Sequence, residues 1–245
     1  YLEVPNPYDP EKPSRFVDWK AHGNVNVRSA LARSSNVYFY VIGGGWKNIK
    51  GLGIYKLNNY WKKFGFNQKT GVDLPFENIG FLPNPEEKEK RTDQPWRVGD
   101  TYNVSIGQGD LTITPIRLLS VIAAIANDGR MMKPLLLITE EPIAVFDFSE
   151  WRDALREVQL GMRDAVAKNY GTANLLFDLP YRTAGKTGSA QVANNKKTNA
   201  FFVGYGPFDD PKIAILILVE DAKEGSLNAV PIAKDILKWY YDHRL

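Results

Sequence analysis

The 245-residue chain contains no cysteine and only two histidines, His22 and His243. Neither a disulfide framework nor a thiolate metal site can be built from it, and a histidine metal cluster is excluded by number alone. Long apolar runs are also missing. The longest uncharged one, Leu118 to Ala126, falls far short of the roughly 20 residues needed to cross a bilayer. Charge of one sign is not concentrated: the formal excess of +3 is spread along the chain, and clusters such as Lys196-Lys197 are too dilute for a nucleic-acid surface. No internal repeat, low-complexity segment or basic leader with an apolar core is present. Tyr1 is not an initiator residue, so the sequence is expected to be part of a longer polypeptide.

What is present suits a globular protein. A hydrophobic content of 44% supports a sizeable core in one large domain or two small ones. Pro5, Pro7, Pro10 and Pro13 predict an extended arm from Tyr1 to Pro13 without regular structure. A helix is expected over about 28–42, interrupted at Ser34-Ser35-Asn36, where short polar side chains favour a turn or a helix start, and stopped at Gly43. Helical periodicity covers 48–64, and 66–102 reads as a long loop whose Glu/Lys run at 86–91 is a solvated face. Thr114-Pro115 opens a nearly all-apolar, hence buried, helix that Asn127-Asp128-Gly129 ends. A strand over Leu135 to Ile138 and a helix from about Glu150 to Lys168, capped by Ser149, follow. Strands at 184–192, 201–205 and 213–219 and a last helix with Pro231 in its first turn complete the chain.

The stretch Tyr181 to Gly206 carries groups that strands seldom combine. Gly185 and Gly188 weaken a strand unless another backbone or a ligand must approach it, and between and beside them stand Lys186, Thr187 and Ser189. An edge strand of this kind can pair with an extended peptide and hold its anionic end with one ammonium and two hydroxyls. The alternative is a plain edge strand guarded by a lysine. Upstream, Ser34 or Ser35 can equally be a simple helix cap.

Taken in order, Ser34-Ser35-Asn36 and Lys186-Thr187-Gly188-Ser189 resemble the S-x-N and K-T-G motifs of penicillin-binding proteins and serine β-lactamases. The surrounding text is more specific. Phe16 to Trp19 with His22-Gly23, Tyr38-Phe39-Tyr40, Gly99 to Asn103, Ile106 to Gly109, Thr114-Pro115 and Ala200 to Gly204 resemble class B penicillin-binding proteins of the elongation type, penicillin-binding protein 2. The resemblance covers nearly the whole chain, most loosely over 84–95 and 139–148.

It implies an α/β fold of the α+β type, an antiparallel sheet flanked by helices with a helical subdomain, and D,D-transpeptidation of peptidoglycan stem peptides ending in D-Ala-D-Ala. Ser34 would then relay a proton near the leaving nitrogen, Asn36 would hold the substrate amide, and Lys186 would supply charge and orient the Ser34 hydroxyl. Thr187 and Ser189 match positions that bind the terminal carboxylate, Gly188 leaves room for the substrate backbone, and the Ser189 N–H matches half of an oxyanion hole. β-Lactam antibiotics would be ligands, no cofactor or metal is called for, and the place of action would be the extracytoplasmic face of the bacterial cytoplasmic membrane, with the anchor outside this chain.

One departure from the family pattern is plain. Its nucleophile lies in S-x-x-K, and no lysine of this chain has a serine three residues before it. Thr183 precedes Lys186 at that spacing, but on one strand the two side chains face opposite ways. Ser149 precedes Arg152, which cannot act as a base. Residues 1–245 are therefore expected to be a partial transpeptidase domain, with the nucleophile supplied by the upstream part of the same protein or by a second chain. A β-lactamase, a β-lactam sensor and an inactive interaction module are the alternatives. The sheet should likewise be unfinished: a strand as apolar as Ile213 to Val219 belongs in an interior, so its far edge should pair with the Tyr1 to Pro13 arm or with a separate chain.

Overall fold

The computed structural model describes residues 1–137, 141–192 and 196–245. Its elements are β1 (Leu2–Val4), β2 (Ser14–Phe16), α1 (Val27–Arg33), α2 (Asn36–Gly44), α3 (Ile54–Lys63), α4 (Pro85–Thr92), α5 (Val98–Ser105) and α6 (Pro115–Ala126). There follow β3 (Arg130–Met132), β4 (Ala144–Asp147), α7 (Arg152–Ala167), β5 (Ala184–Val192), β6 (Lys197–Gly206), β7 (Ile213–Val219) and α8 (Gly225–Arg244). The chain divides into two compact units. One comprises Tyr1–Val25, Ser35–Lys63 and Phe81–Thr112; the other comprises Asn26–Ser34, Phe64–Gly80 and Ile113–Leu245.

The larger unit is built on an antiparallel sheet of order β5-β6-β7. The unbroken apolar text of β7 is explained by helices on both faces. Ile213, Ile215 and Ile217 pack with Phe202 of β6 and with Ala229, Val230, Ala233 and Leu237 of α8. Ala214 and Leu216 turn the other way, towards Val203, Ile122 and Ala126 of α6, and Met162 of α7. Each large side chain so enclosed contributes about 1.5–3 kcal/mol relative to exposure. Thr114 caps α6, accepting from the Arg117 N–H, with Pro115 in the first turn as expected. Arg117 itself is buried; its guanidinium donates to the Lys69 carbonyl at 2.9 Å and to Met131 Sδ at 3.2 Å.

In the smaller unit, Leu2, Tyr40 and Tyr102 form the centre of a core that Phe16, Val37 and Val41 extend. The arm is not structureless: β1 pairs with β2, Leu2 opposite Phe16, and the four prolines all fall in the connection between these strands. The arm therefore does not complete the main sheet, and β7 has no second strand partner among the described residues.

Other differences have local causes. The helix expected over 48–64 begins only at Ile54, because Gly53 has φ +77° and Gly51 lies so close to Gly45 that a Cβ would meet its nitrogen at 2.2 Å. The segment 66–102 is not all loop. Asn84 accepts from the Glu87 N–H, Pro85 occupies the first turn, acidic residues follow and Lys90 and Arg91 close the helix, so α4 is stabilised by caps and dipole with nothing buried. Its solvated charge run is as expected. The strand expected at Leu135 to Ile138 lies instead at β3, paired with β4; Ile138 is outside the described residues. Ser149 belongs to a 3-10 turn ahead of α7 rather than capping it. Finally, α8 starts at Gly225, six residues before Pro231, which sits within the helix.

Candidate active site

Three elements of the larger unit bring two of the expected residues together. Strand β5 lies at the edge of the sheet, paired residue for residue with β6 from Ala184 opposite Tyr205 to Val192 opposite Lys197. Side-chain alternation puts Lys186 on the α6 and α7 side, across from Val203, and Thr187 on the α8 side, across from Phe202. Helix α1 lies along α7, at a position where Gly161 leaves no room for a side chain: a Cβ there would be 2.8 Å from Leu31 Cδ1. Arg28 adds a bidentate pair with Glu157, both contacts at 2.5 Å.

Ser34 ends α1 in the left-handed conformation, φ 54° and ψ 47°, with its N–H directed to the Ala30 and Leu31 carbonyls. That ending places its hydroxyl 2.7 Å from Lys186 Nζ, which donates to it and, at 2.6 Å, to the Thr187 carbonyl. Ser34 and Lys186 are 152 residues apart in sequence, so only the tertiary fold makes this pair. Removal of the Lys186 ammonium from water lowers its pKa from 10.5 to about 8.

The other expected residues of this unit are held less openly. The Thr187 hydroxyl donates to Thr172 Oγ1 at 2.7 Å, while the Thr172 N–H reaches the Ala32 carbonyl at 3.2 Å, tying β5 to α1. Ser189 Oγ accepts from the Gly225 N–H at 3.2 Å. Gly188 and Gly225 are in such close approach that a Cβ on Gly225 would meet the Gly188 carbonyl oxygen at 2.6 Å. Asn36 opens α2 in the smaller unit, and its N–H donates to Asp18 Oδ1 at 3.0 Å.

Sequence reasoning overlooked Thr172 and the part played by Asp18. Neither has a local signal, because each acts through a partner 15 or 17 to 19 residues away. Among the described residues no cluster of His, Asp or Glu could hold a metal ion, and no helix is long and apolar enough to cross a membrane.

Lys186, with its lowered pKa and its bond to the Ser34 hydroxyl, thus stands on a strand that has no second strand partner among the described residues. The fold is the penicillin-binding, β-lactamase-like one: the penicillin-binding protein PBP2 of Helicobacter pylori superimposes with a TM-score of 0.84 at 32% identity, covering 100% of this chain and 45% of that one. The same protein in complex with MreC gives 0.82 at 33% identity, again over 100% of this chain and 45% of the other. Residues 5–238 match the penicillin-binding protein transpeptidase domain, and the chain belongs to that family. A peptidoglycan D,D-transpeptidase MrdA from Haemophilus influenzae is 34% identical over 96% of this chain and 40% of its own length. The resemblance to penicillin-binding protein 2 read from the motifs is thus what the comparisons find. The chain spans about two fifths of the length of the MrdA relatives it matches.

Proposed function

We propose that this chain is the part of a peptidoglycan D,D-transpeptidase that carries two of its three catalytic motifs. The observation that supports this best is the 2.7 Å bond between Lys186 Nζ and Ser34 Oγ. The nucleophilic serine, absent from this sequence, comes from the upstream part of the same protein or from a second chain. It attacks the penultimate D-Ala carbonyl of a stem peptide; the C–N bond breaks and the terminal D-Ala leaves with the proton. An amine of a neighbouring strand then attacks the acyl ester and returns the proton to the serine.

In this scheme Ser34 passes the proton between serine and leaving nitrogen. Lys186 holds that hydroxyl in place by donating to it. The ammonium supplies positive charge without bidentate geometry. Asn36 holds the substrate amide. The substrate enters as an extra strand along β5, Gly188 leaving space beside its backbone, and the Ser189 N–H stabilises the oxyanion from a fixed position. The Thr187 and Ser189 hydroxyls receive the terminal carboxylate, Thr187 by turning its donor away from Thr172. β-Lactams take the same path and stop at the acyl-enzyme. The work is done on the extracytoplasmic face of the cytoplasmic membrane.

The test uses the polypeptide that includes both this chain and the nucleophile. Labelling by a fluorescent β-lactam together with turnover of a D-Ala-D-Ala peptide is the expected result. Labelling without peptide turnover identifies a sensor, rapid loss of label a β-lactamase, and no labelling an inactive interaction module; each overturns the proposal.

A further inference from the structure

The side chain of Asp18 is only 9% exposed and that of His22 4%. Five donors converge on the Asp18 carboxylate. Oδ2 accepts from Ser35 Oγ at 2.7 Å and from the Val37 N–H at 3.0 Å. Oδ1 accepts from the Asn36 and Trp19 N–H groups, each at 3.0 Å, and lies 3.2 Å from His22 Nε2. Burial raises the Asp18 pKa, but the bonds from Ser35, Asn36 and Val37 and the neighbouring His22 outweigh it, so the group stays below the usual carboxylate range and is ionised at neutral pH.

The first N–H groups of a helix have no partner within it, and an anion there is favoured. Helix α2 already has a cap, however, because Ser35 Oγ accepts from the Tyr38 N–H at 3.4 Å. A second, buried anion is more than the helix needs to start. Three of its five donors belong to the residue before Asn36, to Asn36 itself and to the residue after it. Both peptide units flanking the Asn36 Cα are thereby pinned to one rigid, ionised group, and the direction of the Cα–Cβ bond is fixed with them.

We infer that Asp18 is a positioning residue that orients the Asn36 side chain for substrate, an inference that rests on the role proposed for Asn36 above. Asp18 touches no reacting atom; it acts through the first turn of α2.

The experiment is a double-mutant cycle in the polypeptide that includes the nucleophile, read by the second-order rate of acylation by a fluorescent penicillin. Asp18→Asn keeps shape and one acceptor but places an amide donor against backbone N–H groups. Its expected effect is a fall of about 10- to 100-fold, the scale of a 1 Å misplacement of a binding group. In an Asn36→Ala background the same change should matter by less than about 3-fold, since residues acting as a unit are non-additive. A purely structural role would instead multiply the two losses, and that result overturns the inference, as does a parent-like rate for Asp18→Asn alone. Should melting show Asp18→Asn unfolded, Ser35→Ala provides the second cycle, removing one donor while keeping the carboxylate. It should slow acylation several-fold in the parent and not at all beside Asn36→Ala; equal effects in both backgrounds refute the inference. If Asn36→Ala impairs acylation while Asp18→Asn does not, the positioning role fails and the proposed function stands. If the parent polypeptide is never labelled, the function fails and takes this inference with it.

Discussion

Gly225, at the start of α8, packs against the backbone of β5 and β6, and adding one methyl there tests how tightly helix and sheet are coupled. A Cβ on Gly225 would lie 2.3 Å from the Phe201 carbonyl oxygen, 2.6 Å from the Gly188 carbonyl oxygen and 3.0 Å from the Gly188 nitrogen, where ordinary contact begins near 3.4 Å. All three are backbone atoms, and Gly188 and Phe201 are partners in the β5–β6 ladder, so neither can give way alone. Helix α8 must retreat by about 1 Å, loosening Ala229, Val230, Ala233 and Leu237, which are fully buried. Overpacking of this kind costs about 1–3 kcal/mol. The smaller entropy of the unfolded chain returns roughly 0.4–1 kcal/mol. Gly225→Ala is therefore expected to lower stability by about 1–2 kcal/mol, a fall in Tm of some 2–8 °C for a domain of this size. Urea denaturation of the parent polypeptide measures it, with Ser226→Ala as a neighbouring control expected within about 0.5 kcal/mol. Acylation should fall too, since Ser189 loses its bond from the Gly225 N–H. A Gly225→Ala protein as stable as its parent would refute the close seating of α8 on β5.

Lys186→Ala in the parent polypeptide is expected to slow acylation on the order of 100- to 1000-fold while changing folding stability far less; equal acylation rates would remove Lys186 from the mechanism. Because the folded pKa of Lys186 lies near 8 against 10.5 unfolded, the unfolded chain binds more protons between those values, so stability from this group rises as pH climbs from about 8 to 10.5. The gain is at most about 3–4 kcal/mol, and denaturation curves of parent and Lys186→Met should differ in pH slope only in that window. Residues 1–245 by themselves should form no stable penicillin adduct, as intact-mass measurement will show; an adduct on any serine of this chain would contradict the assignment of the nucleophile elsewhere. In the parent polypeptide a further segment should pair with the outer edge of β7, and coordinates showing that edge solvated along its length would contradict the reading of an unfinished sheet.

Much of the architecture was readable because it depends on near neighbours. Thr114-Pro115 and Asn127-Asp128-Gly129 bracket α6 by capping chemistry that acts within one turn, and the interruption at Ser34-Ser35-Asn36 separates α1 from α2 as short polar side chains dictate. The apolar text of β7 required cover on both faces, and α6 and α8 provide it. The ordered motifs, too, are a property of sequence alone and named the family without coordinates. Errors arose where a residue has two local meanings. Pro85 can break a helix or begin one, and capping by Asn84 with the charge order of α4 made that choice; Pro231 can stand in a first turn or be tolerated inside α8, and there packing of the helix decided. Only the tertiary structure decided which distant groups meet. Ser34 with Lys186, Thr172 with Thr187, Asp18 with the first turn of α2, and the pairing of the arm with β2 all join residues whose spacing follows no helical or strand period. Such contacts are set by how helices and sheet pack, and the lowered pKa of Lys186 follows from that packing, because desolvation belongs to the folded surroundings and not to the residue.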